Sequence, residues 1–179
     1  MKIAAHFLPE DFPVFLESVK TAEEAGYARA WVVDSQMLWE DVWVYMTHAL
    51  GATERIQVGV AVSNPLTRHY TVTASAAATL AQLHPGRVVL GLGRGDSAVR
   101  TLGLAPMKLA EFRDTLRVVR RLCPGEAAEV NGTAIRLPWA TRAVPVLLAA
   151  YGNSPSGESR NHVEGDFVSS LLVLLCQKR

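Results

Sequence analysis

The sequence predicts an α/β protein in which about five parallel strands are joined by helices in repeated (β/α) units. Three observations lead there. Short, wholly apolar runs alternate with segments whose apolar residues recur at helical spacing. Turn residues fall between them, at Gly26, Asn64-Pro65, Pro85-Gly86 and Pro124-Gly125. The chain has 179 residues, 49% of them hydrophobic, which suits one domain with a sizeable core. Strands alternating with amphipathic helices make right-handed crossovers around a parallel sheet. A doubly wound open sheet and a (β/α)₈ barrel both satisfy this rule. Five strands fall short of a closed barrel, which takes about 250 residues.

Each element follows from its residues. Ile3 to Leu8 reads as a short buried strand. Asp11 is placed to cap a helix and Pro13 to sit in its first turn, where a missing N–H costs little. Phe12, Phe15, Val19 and Ala22 then share one face, and Gly26 ends the helix. Ala30 to Val33 is the second strand, closed by Asp34. A second helix is expected from about Asp41 to Leu50, with Gly51 after it. Ile56 to Val62 is the third strand, broken by Asn64-Pro65, and residues 70–83 form an alanine-rich helix. Arg87 to Leu92 is the fourth strand. Leu109, Phe112, Leu116 and Val119 mark a fourth helix. Asn131-Gly132 signals a hairpin, because a type I′ turn needs positive φ at both central residues. Val144 to Ala150 is the fifth core strand.

The stretch PGRVVLGLGRGD, residues 85–96, carries the most functional information. A buried strand runs into a glycine-rich loop that ends in an acid. Glycine lets a backbone approach a ligand closely, and loops at the carboxyl ends of parallel strands are where ligands bind. A plain strand-to-loop turn is the alternative. The loop is not a dinucleotide fingerprint. Asp96 stands where the third glycine of G-x-G-x-x-G would fall, and the next helical pattern is expected only after Pro106.

Composition narrows the partners. A formal charge of +1 gives no electrostatic pull toward nucleic acid or an acidic membrane surface. Cys123 and Cys176 fit neither a disulfide framework nor a zinc site, which points to the cytoplasm. The start lacks a signal-peptide core, and the apolar run Leu171 to Cys176 is too short to span a bilayer. No histidine–carboxylate pair has metal-ligand spacing.

The chain changes character after Gly152. Residues 153–179 do not continue the strand–helix rhythm. They read either as a disordered stretch with a short terminal element or as the product of a lost coding frame, and the second reading is favoured. The organisation is therefore a (β/α) domain over 1–152 and a divergent tail over 153–179.

Three segments go beyond fold class: AWVVDSQ at 30–36, VGVAVSNPLTRHYTVTASAAATLAQLHPGRVVLGLGRGDSA at 58–98, and VPVLLAAYG at 144–152. Together they resemble the luciferase-like family of flavin- and deazaflavin-dependent oxidoreductases, in particular its methylenetetrahydromethanopterin reductase-like subgroup. The family fold is a TIM barrel of about twice this length, so the resemblance implies a truncated barrel that matches the amino-terminal half. It implies FMN or the deazaflavin coenzyme F-420 as cofactor and a small-molecule substrate. It further implies a non-prolyl cis bond at Ala61–Val62, against which the cofactor ring lies. Asn64 matches a polar position at the ring, and is also a routine turn residue. Arg94, Gly95 and Asp96 match the loop that meets the ribityl and phosphate region, and Gly152 matches the start of a phosphate loop.

The resemblance also supplies the catalytic candidates, His6 and Asp34. His6 stands where methanopterin reductases carry a catalytic acid, and a packed histidine is the equal alternative. Asp34 is followed by Ser35 rather than the histidine of the glucose-6-phosphate dehydrogenase type, which argues against that reaction. Arg68 and His69 read as structural loop residues, with a phosphate or substrate contact from Arg68 as the alternative, and Trp39 reads as a core or interface residue, with an aromatic wall over the ring as the minority reading. Two function classes follow. One is an oxidoreductase performing hydride transfer or monooxygenation, acting as a homo-oligomer. The other is a non-catalytic half-barrel that only binds flavin or a partner chain. A sugar-phosphate enzyme on the same fold is a weaker third.

Overall fold

The computed structural model describes residues 3–149. Gly152, Cys176 and the tail over 153–179 lie outside the described residues. The chain order is β1 (Ala4–Phe7), α1 (Phe12–Glu24), β2 (Arg29–Val32), α2 (Val42–Ala52), β3 (Gln57–Ser63), α3 (Tyr70–Leu83) and β4 (Val88–Leu92). There follow α4 (Ser97–Arg100), α5 (Leu109–Leu122), β5 (Ala128–Val130), β6 (Thr133–Ile135) and β7 (Val146–Leu148). Five strands form one parallel sheet in the order β1-β2-β3-β4-β7, and β5 and β6 form a separate antiparallel hairpin.

The period-2 geometry of a strand divides the sheet residues into two faces. On one face Val32, Val58, Val60, Leu90 and Leu92 join Phe15, Met46, Leu50, Phe112 and Leu116 in the main core. Burying side chains of this size stabilises by about 1.5–3 kcal/mol each, which holds the helices to the sheet. On the other face His6, Trp31, Gly59 and Val89 are cross-strand neighbours in one row. Gly59 leaves room for the indole, since a Cβ there would come within 2.8 Å of Trp31 Cε3.

The end of the sheet opposite the strands' carboxyl termini is tied by charged groups. Arg87 donates from Nε to the Ile56 carbonyl (3.1 Å) and from Nη1 to those of Leu50 (3.1 Å) and Thr53 (2.6 Å). Glu23 accepts the backbone N–H groups of Glu54, Arg55 and Ile56 at the entry to β3.

Several local expectations need correction. Asp11 precedes α1 but lies in the left-handed region (φ 45°) and caps no N–H, because a capping residue needs extended backbone. Gly51 lies inside α2, which runs on to Ala52 because Arg87 and the Thr53 hydroxyl take up its final carbonyls. The fifth strand is shorter than expected, Val146–Leu148, and half-buried. A helix does follow the glycine loop directly: α4 closes on the Asp96 carbonyl, which accepts from Val99 and Arg100. The hairpin turn has the positive φ values its type requires, 53° at Asn131 and 74° at Gly132.

Candidate functional site

A cleft of ≈ 500 Å³ opens where β2, β3 and β4 end. Asp34, Ala61, Val62, Asn64, Arg94, Gly95 and Asp96 all line it. Trp39, Ser35, Ser97 and Arg100 line it as well. His6 is not among the lining residues. It stacks on Trp31, with ring centroids 6.4 Å apart, in the row further down the sheet. Burial lowers its pKa below the ordinary imidazole value.

The floor of the cleft is a bulge in β3. Val60 pairs with Leu90 but Ser63 pairs with Leu92, so β3 uses three steps where β4 uses two. The Ala61–Val62 bond inside this bulge is cis. Gly91 and Gly93 let β4 pass close by: a Cβ on Gly91 would strike the Val60 carbonyl, and one on Gly93 would lie 2.9 Å from Val62 Cγ2.

Asn64 is buried and its amide is committed to the loop after β3. Its Oδ1 accepts from the N–H groups of Leu66 (3.1 Å) and Thr67 (3.0 Å), and Nδ2 donates to Thr67 Oγ1 (2.8 Å). It presents a rigid polar wall rather than a swinging side chain.

The opposite wall is the loop from Gly93 to Ser97. Arg94 Nε donates to the Met107 carbonyl (2.6 Å). Gly95 adopts φ 95°, a conformation other residues rarely reach. Asp96 pairs with Arg100 at 2.6 Å on the exposed lip. Ser35 and Ser97 hydroxyls meet at 3.1 Å and Gln36 Nε2 donates to the Ala98 carbonyl (3.1 Å), joining the two walls.

Asp34 is half-buried at the end of β2. Burial pushes its carboxyl above the usual range, and the nearby Asp41 carboxylate adds to that. Ser63 and Arg68 oppose the shift, although the Ser63 hydroxyl closes no hydrogen bond of normal geometry. His69 serves structure: its Nδ1 meets Thr71 Oγ1 at 2.7 Å at the start of α3.

The cleft is large enough for a small-molecule ligand or cofactor. Its volume lies within the ~300–1,000 Å³ typical of such sites. Its lining brings together the Arg94 guanidinium, the Asp96–Arg100 ion pair and the apolar side chains of Ala61 and Val62. Among the described residues no cluster of histidine, cysteine or carboxylate groups fits a metal ion, and no helix is long and apolar enough to cross a membrane.

The cleft lies at the strand ends of TIM-barrel-type (β/α) units. The model of the luciferase-like monooxygenase family matches residues 4–158, so the chain belongs to that family of coenzyme F-420- and FMN-dependent oxidoreductases. It is 30% identical over 161 residues to 5,10-methylenetetrahydromethanopterin reductase of Methanolobus tindarius, covering 85% of this chain and 49% of the relative. It is 33% identical over 170 residues to the F-420-dependent glucose-6-phosphate dehydrogenase of Beutenbergia cavernae, covering 86% and 50%. Among solved structures, the coenzyme F-420-dependent tetrahydromethanopterin reductase of Methanopyrus kandleri matches with TM-score 0.69 and 25% identity, over 84% of this chain and 50% of the other. The FMN complex of the oxygenating constituent of 3,6-diketocamphane monooxygenase from Pseudomonas putida shares the fold, with TM-score 0.64 and 18% identity over 87% and 54%. The chain thus spans about half the length of the curated relatives it matches.

The seven lining residues named first were legible from the resemblance. Ser35, Ser97 and Arg100 were not, since their place depends on contacts across 62 residues of chain and on α4. Trp39, which its residue type predicts as core or interface, lines the cleft. Its signal was its place in the loop after β2, five residues beyond Asp34.

Proposed function

We propose that the chain forms the cofactor-holding part of an oxidoreductase that uses coenzyme F-420 or FMN on a small-molecule substrate. The observation that carries this reading is the joint wall of the β3 bulge, Asn64 and the Arg94–Asp96 loop around one cleft. When bound, either cofactor supplies hydride transfer at its ring, and the protein supplies position and electrostatics. Arg94 holds an anionic group of the cofactor with charge-assisted hydrogen bonds. Asp96 accepts from side-chain hydroxyls, and Ala61 and Val62 form the apolar surface under the ring. Asp34, held in a partly water-excluded position, keeps or releases a proton beside the reacting face. His6, stacked on Trp31 and outside the cleft lining, fits the packed alternative.

A second reading rests on the sheet edges. Among the described residues β1 pairs only with β2, and β7 only with β4. Unpaired edges are templates for another strand. They favour self-association, or a chain that binds cofactor or a partner chain without turnover.

Fluorescence titration of the purified chain with FMN and, separately, with coenzyme F-420 tests the first reading. Saturable binding of one of them in the micromolar range is expected. No binding of either at ~100 μM, within the range of ordinary working sites, would overturn it.

A further inference from the structure

We propose that Gln36 is a positioning residue for the glycine loop: its side-chain amide holds the Ala98 carbonyl of α4 and, with the Ser35–Ser97 contact, fixes the Gly93–Ser97 wall against the loop that carries Asp34 and Trp39. The consequence for binding rests on the reading of the cleft as a cofactor site given above.

The latch joins residues far apart in the chain. After β2 the Ser35 carbonyl accepts from the N–H groups of Leu38 (2.8 Å) and Trp39 (2.9 Å), a compact turn that holds Ser35, Gln36 and Trp39 together. Ser35 is buried, and its hydroxyl meets that of Ser97 at 3.1 Å. Gln36 Nε2 donates to the Ala98 carbonyl, also at 3.1 Å. Within α4 the carbonyls of Ser97, Val99 and Arg100 accept from the N–H groups of Thr101, Leu102 and Gly103. Among the described residues the Ala98 carbonyl accepts only from Gln36.

A four-residue helix has little hold on its own place, since every one of its carbonyls lies in the last turn and needs a partner from outside the helix. The place of α4 passes to the glycine loop through Val99, which is fully buried. Gly95 lies so close over it that a Cβ there would stand 2.8 Å from Val99 Cγ1. A shift of α4 therefore shifts Gly95, and with it Arg94 and Asp96, which line the cleft. The other end of the loop is held separately, by the Met107 carbonyl on Arg94 Nε. Gln36 is not among the lining residues, so its effect reaches a ligand only through α4 and the loop.

The test replaces Gln36 in the 179-residue chain and reads, by NMR without cofactor, the hydrogen-exchange protection of the Val99, Arg100, Thr101 and Leu102 amides at pH 7 and about pH 4. Gln36→Glu keeps the size of the side chain but loses its donor when ionised and regains an O–H donor when protonated. It should cut protection by about fivefold at pH 7 and return it toward the parent value at about pH 4, and the Gly95 amide signal should move with it. Gln36→Leu should show the loss at both pH values. The parent chain at each pH is the control for Asp34, Asp96 and Arg100, the titratable and charged groups on the same two walls. Gln36 is exposed, so both variants should fold, with the β5–β6 hairpin amides unmoved. Both should also weaken binding of FMN or coenzyme F-420, whichever the parent chain binds, by about fivefold at pH 7. Unchanged protection in Gln36→Leu, an unmoved Gly95 signal, or a loss in Gln36→Glu that persists at about pH 4 would overturn the proposal. A loop that responds as described in a chain that binds neither cofactor would uphold the positioning role and overturn the cofactor reading instead.

Discussion

Arg94 and Met107 hold each other at two points: Arg94 Nε donates to the Met107 carbonyl at 2.6 Å, and the Met107 N–H donates to the Arg94 carbonyl at 2.8 Å. The clamp closes the loop that contains α4 and fixes the guanidinium at the cleft rim. Among the described residues no partner takes its terminal nitrogens. Replacing Arg94 by Met should weaken binding of the cognate cofactor by about tenfold, the loss of one charge-assisted contact at a partly exposed site. Arg94→Lys should recover only part of this, because an ammonium cannot reproduce both the clamp and the ligand contact. Fluorescence titration reads both.

The bulge depends on Gly93. A Cβ there would press on Val62 Cγ2, and the neighbouring strands cannot separate without losing ladder hydrogen bonds. Gly93→Ala should therefore destabilise by about 1–3 kcal/mol in urea unfolding and weaken cofactor binding as well. Gly51→Ala provides the contrast. Nothing lies within 4 Å of that Cβ and the residue is helical, so the change should stabilise by roughly 0.5 kcal/mol and leave binding alone.

Asp34 should trade stability against function. Its folded-state pKa is raised, first by burial, above the unfolded value of about 3.9. The stability tied to the group is thus fully present below about pH 4 and lost as pH rises through the folded pKa. Asp34→Asn should raise Tm at pH 7, and the advantage should vanish near pH 4. Thermal melts of both proteins across that range measure it.

Glu23 should show the reverse. Burial alone would raise its pKa, but the N–H groups of Ile56, Arg55 and Glu54 outweigh that and lower it. Its contribution is present above the unfolded pKa of about 4.3 and lost as pH falls through the folded value. Glu23→Gln should destabilise at pH 7, with the difference from the parent chain narrowing under acid. Urea unfolding at pH 7 and pH 3 reads both points.

The sequence revealed most where pattern and local chemistry agree. Helix α3 begins and ends where the alanine-rich pattern places it, and the Asn131-Gly132 turn follows from backbone sterics alone. Six of the seven cleft residues follow from the motif at 58–98 and Asp34 from AWVVDSQ at 30–36, rather than from periodicity. Other features were hidden for physical reasons. Helix α4 is four residues long, too short for a 3.6-residue pattern to register. The Arg94–Met107 clamp and the Ser35–Ser97 contact depend on tertiary closure. The Asp11 side chain looked like a cap by type, and only its φ shows that it is not.

The most direct test of the account is ¹H–¹⁵N NMR mapping of the chain during titration with FMN and with coenzyme F-420. The account predicts that one of them shifts the amides of Ala61–Asn64 and of Gly93–Ser97 together, with the β5–β6 hairpin unmoved. Shifts centred on the hairpin, or none with either cofactor at ~100 μM, would contradict it.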